Sequence, residues 1–187
     1  HTRGSTCQFC VVPKKEGAIR PVGDIYDFWR GQDRLMLLDN NLTALPDQFE
    51  RICKQLIKER VRVDFSQGLD IRLITAEMAQ LLSQIRLWKR IHFAFDNIAL
   101  EKQVRAGIKI LTENGVSAHK LMFYVLIGFD SIPDEDLYRV EVLRGLGVDP
   151  FVMPYNKSDE YQKRFARWVN HKAIFKSVPW HEYKTSA

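Results

Sequence analysis

The sequence predicts an α/β protein built on a parallel sheet, and three observations carry that expectation. Apolar runs of strand length begin near residues 35, 61, 91, 121 and 148, a step of 26 to 30 residues. Segments with apolar residues at helical spacing lie between them, so strand and helix alternate as they do in βαβ units with right-handed crossovers. Within the strands the apolar residues form near-continuous runs, the pattern of parallel strands covered on both faces. No sequence repeat and no low-complexity linker interrupts this rhythm, so residues 1–187 read as one domain.

Each element has a local reason. Gly23-Asp24-Ile25-Tyr26-Asp27-Phe28-Trp29-Arg30 carries apolar residues at helical spacing, and Leu35 to Leu38 is the first strand, ending in Asp39-Asn40-Asn41. Pro46 opens a helix at a position where its missing N–H costs nothing, with Phe49, Ile52, Leu56 and Ile57 on one face. Val61 to Phe65 is the next strand, followed by Ser66-Gln67-Gly68. A helix capped by Thr75 carries Met78, Leu81, Leu82 and Ile85. Ile91 to Phe95 precedes Asp96-Asn97 and a helix over 100–114, which Asn114-Gly115 stops in the left-handed region. Leu121 to Ile127 closes on Gly128-Phe129-Asp130. Pro133 starts a helix whose first turn holds Asp134, Glu135 and Asp136, where the dipole favours acids. Val148 to Met153 runs into Pro154-Tyr155-Asn156, and the tail is helical over 159–175.

Composition bounds the function. With 45% apolar and 27% charged residues the chain has the make-up of a soluble globular domain. No apolar run approaches the ~18 residues of a membrane span. Three cysteines form no disulfide framework, which points to a reducing, cytoplasmic setting. Cys53 falls on an apolar helical stripe and reads as a buried structural thiol. His92 lies inside a strand and reads as structural too. The net charge of +5 is concentrated in residues 157–187, where seven Lys or Arg face three Asp or Glu. Such a tail can track a phosphate backbone but more often is a solvated helix face. Trp168, Phe175, Trp180 and Tyr183 within it can stack on bases, or pack the last helix over the sheet.

Two features carry chemistry. Cys7 and Cys10 sit three positions apart in a turn, a spacing that lets two sulfurs reach one metal centre, although the same spacing serves redox pairs and half zinc sites. Every strand also hands over to polar or glycine residues at its carboxyl end. In parallel α/β folds ligands gather at that edge because the strand-to-helix loops converge there.

The run Thr2-Arg3-Gly4, Cys7-Gln8-Phe9-Cys10, Val12-Pro13, Glu16-Gly17 and Arg20 resembles the cluster loop of radical S-adenosylmethionine (SAM) enzymes. Val125 to Asp130, with Pro133 to Leu137 after it, is similar to the fifth strand and helix of that superfamily. The resemblance implies an open, partial (β/α)6 TIM-like barrel of parallel strands. Residues 1–34 would form the cluster loop and first helix, 35–156 the repeating units and 157–187 the basic helix and tail. It also implies a [4Fe–4S] cluster on a Cys-x3-Cys-x2-Cys loop, with one iron open to SAM. An external electron donor would drive release of a 5′-deoxyadenosyl radical that takes hydrogen from a substrate the sequence does not identify. The family reads Arg-Gly-Cys where this chain reads Arg3-Gly4-Ser5. The first strand and a Cys-x pair between Gly4 and Ser5 are therefore expected to be missing from this sequence.

By the same resemblance Cys7 and Cys10 would bind iron and Phe9 would lie beside the adenine. Asp39, Asn40 and Asn41 would engage the cofactor's amino group, Asp96 or Asn97 its ribose, and Gly128 would let the backbone approach adenine. Ser66, Gln67, Asp70 and Arg72 are candidates for the cofactor carboxylate or the substrate, with a structural Asp70–Arg72 ion pair as the alternative. Tyr155 and Asn156 close the ring. The cysteine run with Val12-Pro13 is similar to the methylthiotransferase branch that modifies tRNA. The competing reading is a non-enzymatic module in which Cys7 and Cys10 hold half a zinc site and the tail contacts RNA.

Overall fold

A computed structural model describes residues 12–184. Five strands, β1 (Arg34–Leu37), β2 (Arg62–Phe65), β3 (Arg86–Ala94), β4 (Leu121–Ile127) and β5 (Asp149–Pro154), form one sheet in sequential order, every neighbouring pair parallel. The main helices are α1 (Val12–Glu16), α2 (Pro46–Glu59), α3 (Ala76–Gln84), α4 (Glu101–Glu113), α5 (Pro133–Gly145), α6 (Glu160–Asn170) and α7 (Lys172–Ser177). The sheet is open, with β1 and β5 at its edges. Sequential order without a reversal keeps same-handed crossovers on one face, unlike a doubly wound sheet whose order reverses.

The core lies between that face and the helices. Leu121, Phe123, Val125 and Ile127 alternate along β4 and are fully buried, as are Phe49, Leu56, Leu82 and Leu111 on the covering helices. Each contributes on the order of 1.5–3 kcal/mol by leaving water. The start and stop signals act as their chemistry demands. Pro46 and Pro133 stand at the starts of α2 and α5, and Thr75 accepts a hydrogen bond from Met78 N at 3.2 Å. Gly115, at φ +93°, ends the turn after α4. Cys53 is buried in α2, and burial pushes its thiol pKa up.

Four expectations need correction. The apolar runs do not mean two covered faces: on the other, exposed face Met36, Ala94, Phe151 and Met153 are exposed to solvent among the described residues. β3 begins at Arg86, five residues before the apolar run. An irregularity pairs Val63 with Leu87 and Phe65 with Ile91, so the polar segment Trp88-Lys89-Arg90 bulges from the ladder. The 23–30 segment makes a single 3₁₀ turn, Ile25–Asp27, capped by Asp24. The helical tail breaks at His171, where Asn170 leaves the helix bonded to both the N–H (2.8 Å) and the C=O (3.0 Å) of Val152. That side chain occupies part of the outer edge of β5, which otherwise presents unpaired backbone.

Candidate functional site

The loops at the carboxyl ends of the five strands are joined to one another by hydrogen bonds. Asn41 Oδ1 accepts from Thr43 Oγ1 at 2.6 Å, and Thr43 Oγ1 accepts from Asp70 N at 3.0 Å, tying the first loop to the second. Tyr124 of β4 donates to the Ser66 carbonyl at 3.2 Å, and Asp96 Oδ1 accepts from Leu126 N at 2.8 Å. The fourth and fifth loops meet through the Tyr155 N–H, which donates to the Ile127 carbonyl at 3.0 Å, and through the Phe129 and Tyr155 rings, 5.0 Å apart.

Beneath these loops lies a cluster the sequence reading missed. Arg139 of α5 is fully buried and donates to the Phe95 carbonyl at 2.9 Å, the Leu126 carbonyl at 3.0 Å and Asp136 Oδ1 at 2.6 Å. Asp136, also fully buried, accepts from Ser131 Oγ at 2.6 Å and Tyr161 Oη at 3.0 Å. One guanidinium therefore clamps the carboxyl ends of β3 and β4, and every charge in the clamp has a partner, as burial requires. Burial and the Asp136 carboxylate push the Tyr161 phenol pKa up, so it stays a donor. The one visible signal is the spacing of Asp136 and Arg139, one helical turn apart, on a helix whose acids also suit a solvent-facing first turn.

Of the residues expected to bind ligand, Asp39, Asn40 and Gln67 are exposed at the edge, and Asn41 and Ser66 are half-buried beside them. Several carry structural bonds, Asn41 with Thr43 among them. Arg72 holds Asp70 through Nε (2.8 Å) and Nη2 (2.7 Å), so the expected alternative of an ion pair is present. Asn97 caps the next turn by accepting from Ala99 N at 2.8 Å. Burial pushes the Asp96 carboxyl pKa up, while the Leu126 N–H and Arg139 pull it down. Gly128 has φ +75°, and a Cβ there would stand 2.1 Å from Gln162 Nε2, so the turn itself requires glycine. Tyr155 and Asn156 are exposed at the last loop. Cys7, Phe9 and Cys10 lie outside the described residues, and no group of metal-ligating side chains occurs among the described ones.

The exposed face below this edge is polar at its amino end and apolar above. Lys89 Nζ lies 3.1 Å from Asp64 Oδ2, Arg90 contacts Asp149 across β4, and Trp88 meets the Arg34 guanidinium at 5.2 Å. The β3 bulge thus links β1, β2 and β5. His92 is buried and its Nδ1 bonds the Phe65 carbonyl at 3.2 Å, as a structural histidine would. In the tail, Trp168, Phe175 and Tyr183 are buried with their rings against one another and Trp180, so they pack α6 rather than present faces to bases.

Comparison with known proteins gives partial similarity. The chain is 28% identical over 91 residues to the ribosomal protein uS12 methylthiotransferase RimO of Nitrosomonas europaea, covering 48% of this chain and 19% of that protein. It is 24% identical over 97 residues to RimO of Pseudomonas fluorescens, covering 48% and 20%. The chain thus matches about a fifth of the length of these curated relatives. No protein-family model matches it, and no solved structure matches it. No helix among the described residues is long and apolar enough to cross a membrane.

Proposed function

We propose that this chain is the core of a radical SAM enzyme of methylthiotransferase type. The observation that carries the reading is an open, sequentially ordered parallel sheet with five polar loops at its carboxyl edge and with apolar side chains exposed on one face among the described residues. The thiols Cys7 and Cys10, and the partial similarity to RimO, support the same reading. On it the sheet is part of a (β/α)6 TIM-like barrel, and Cys7 and Cys10 are two of the three iron ligands. The exposed donor set suits SAM: carboxylate and amide oxygens at Asp39, Asn40 and Gln67 for an ammonium, with Asn41 and Ser66 beside them. When bound, the cluster and SAM supply a 5′-deoxyadenosyl radical. The protein's own part is to hold the substrate against the exposed face of the sheet and keep water from it. A ribosomal protein, as in the relatives, is the favoured substrate over tRNA.

A zinc module would need ligands besides Cys7 and Cys10, and Cys53 is a core residue of α2 that cannot serve. The test is anaerobic reconstitution of the full-length protein with iron and sulfide, then a reductant and SAM. Formation of 5′-deoxyadenosine, abolished by Cys7→Ala and by Cys10→Ala, is expected. Bound zinc with no iron or sulfide would reject the reading.

A further inference from the structure

On the exposed face of the sheet, between the β3 bulge and the carboxyl edge, His92 is held in one tautomer. Its Nδ1 is 3.2 Å from the Phe65 carbonyl oxygen, which can only accept, so Nδ1 carries the proton. Asp64 reinforces that choice, with Oδ1 3.7 Å from the same nitrogen. The lone pair is thereby left on Nε2, which has no hydrogen-bond partner among the described residues. The Tyr124 ring stacks on the imidazole at 5.2 Å and 9°, fixing its plane. Toward the carboxyl edge the next residue on this face of β3 is Ala94, small and exposed, and Phe151 and Met153 of β5 wall the far side.

We propose that His92 Nε2 is a hydrogen-bond acceptor for a planar, neutral ligand group carrying an amide N–H or hydroxyl, held on the exposed face of the sheet against Tyr124, Phe151 and Met153. The charges around the ring select a neutral group. Lys89 and Arg90 flank it on β3, but Lys89 is paired with Asp64 and Arg90 with Asp149, so these charges cancel and offer no net attraction to a cation or an anion. Burial, aided by Lys89 and Arg90, holds the imidazole pKa below its ordinary value against the Phe65 carbonyl and Asp64, which keeps Nε2 unprotonated near neutrality. That the natural ligand is the enzyme's substrate rests on the function proposed above; the binding itself does not.

The experiment is ¹⁵N NMR of histidine-labelled full-length protein, with benzamide, benzoate and benzylammonium as probes. It needs no reducing agent and no SAM cleavage, so its failure is separate from failure of the radical chemistry. Nε2 of His92 is expected to report an unprotonated nitrogen, to shift saturably with benzamide and to ignore both ions. His92→Phe, which keeps the stacked ring, should weaken benzamide roughly two- to tenfold, the effect of one neutral hydrogen bond. His92→Gln, which keeps an acceptor, should recover part of that loss, with thermal melting showing both variants folded. A proton on Nε2, equal affinity for benzylammonium, or undiminished benzamide binding by folded His92→Phe would overturn the assignment.

Discussion

The two faces of the sheet are made from the same strands and behave as different materials. On β4 the helix-side residues Leu121, Phe123, Val125 and Ile127 are fully buried, whereas Met122, Tyr124 and Leu126 on the other side are only half-buried. One strand further, Phe151 and Met153 are exposed. A parallel sheet ordinarily has both faces covered; among the described residues this one is fully covered on one face only.

Stability measurements can break that contrast. Phe123→Ala should cost about 3–5 kcal/mol in urea denaturation, because it opens a cavity in a core that cannot collapse. Met153→Ala, on the exposed face, should stay within about 0.5 kcal/mol. Equal losses would mean the exposed face is part of the core.

The clamp at the carboxyl edge should behave like the helix side. Arg139→Met leaves Asp136 buried without its cation and should cost about 3–5 kcal/mol in the same assay, part of which Arg139→Met with Asp136→Leu should recover. Gly128→Ala should cost about 1–3 kcal/mol, since it places a side chain at φ +75° and displaces Gln162. A neutral effect at Gly128 would show that the loop has room to rearrange.

The smallest effect separates the two faces by pH. The folded-state pKa of His92 is depressed, so the unfolded chain takes up a proton that the folded chain resists. Stability should therefore be full above the ordinary histidine value of 6.5 and fall as pH drops through it. His92→Phe should flatten that decline between about pH 7 and 5, read as the pH dependence of the urea midpoint; an unchanged slope would contradict it.

Much of this architecture was legible in the sequence because periodicity and punctuation survive without tertiary information. The strand rhythm, Pro46, Thr75, Asn114-Gly115 and Pro133 all do locally what their chemistry requires. What escaped depends on partners distant in sequence. Asp136 looked like a dipole-complementing surface acid and is a buried ligand of Arg139, because α5 turns that charge inward toward β3 and β4 carbonyls. The start of β3 was hidden because Arg86 to Arg90 is polar, and only neighbours such as Asp64 and Asp149 make those cations tolerable in a strand. Among the site residues, Asp39, Asn40 and Gln67 stand exposed at the edge as polar loop chemistry anticipates. Asn97 and Arg72 bond locally, Asn97 to its own turn and Arg72 to Asp70, which side-chain type alone does not foretell.

The most direct measurement is electron paramagnetic resonance of the reconstituted, reduced full-length protein with and without SAM. A reduced [4Fe–4S] signal whose g-values shift when SAM is added, and which Cys7→Ala abolishes, is the predicted result. A protein that takes up no cluster, or a cluster signal indifferent to SAM, would contradict the account.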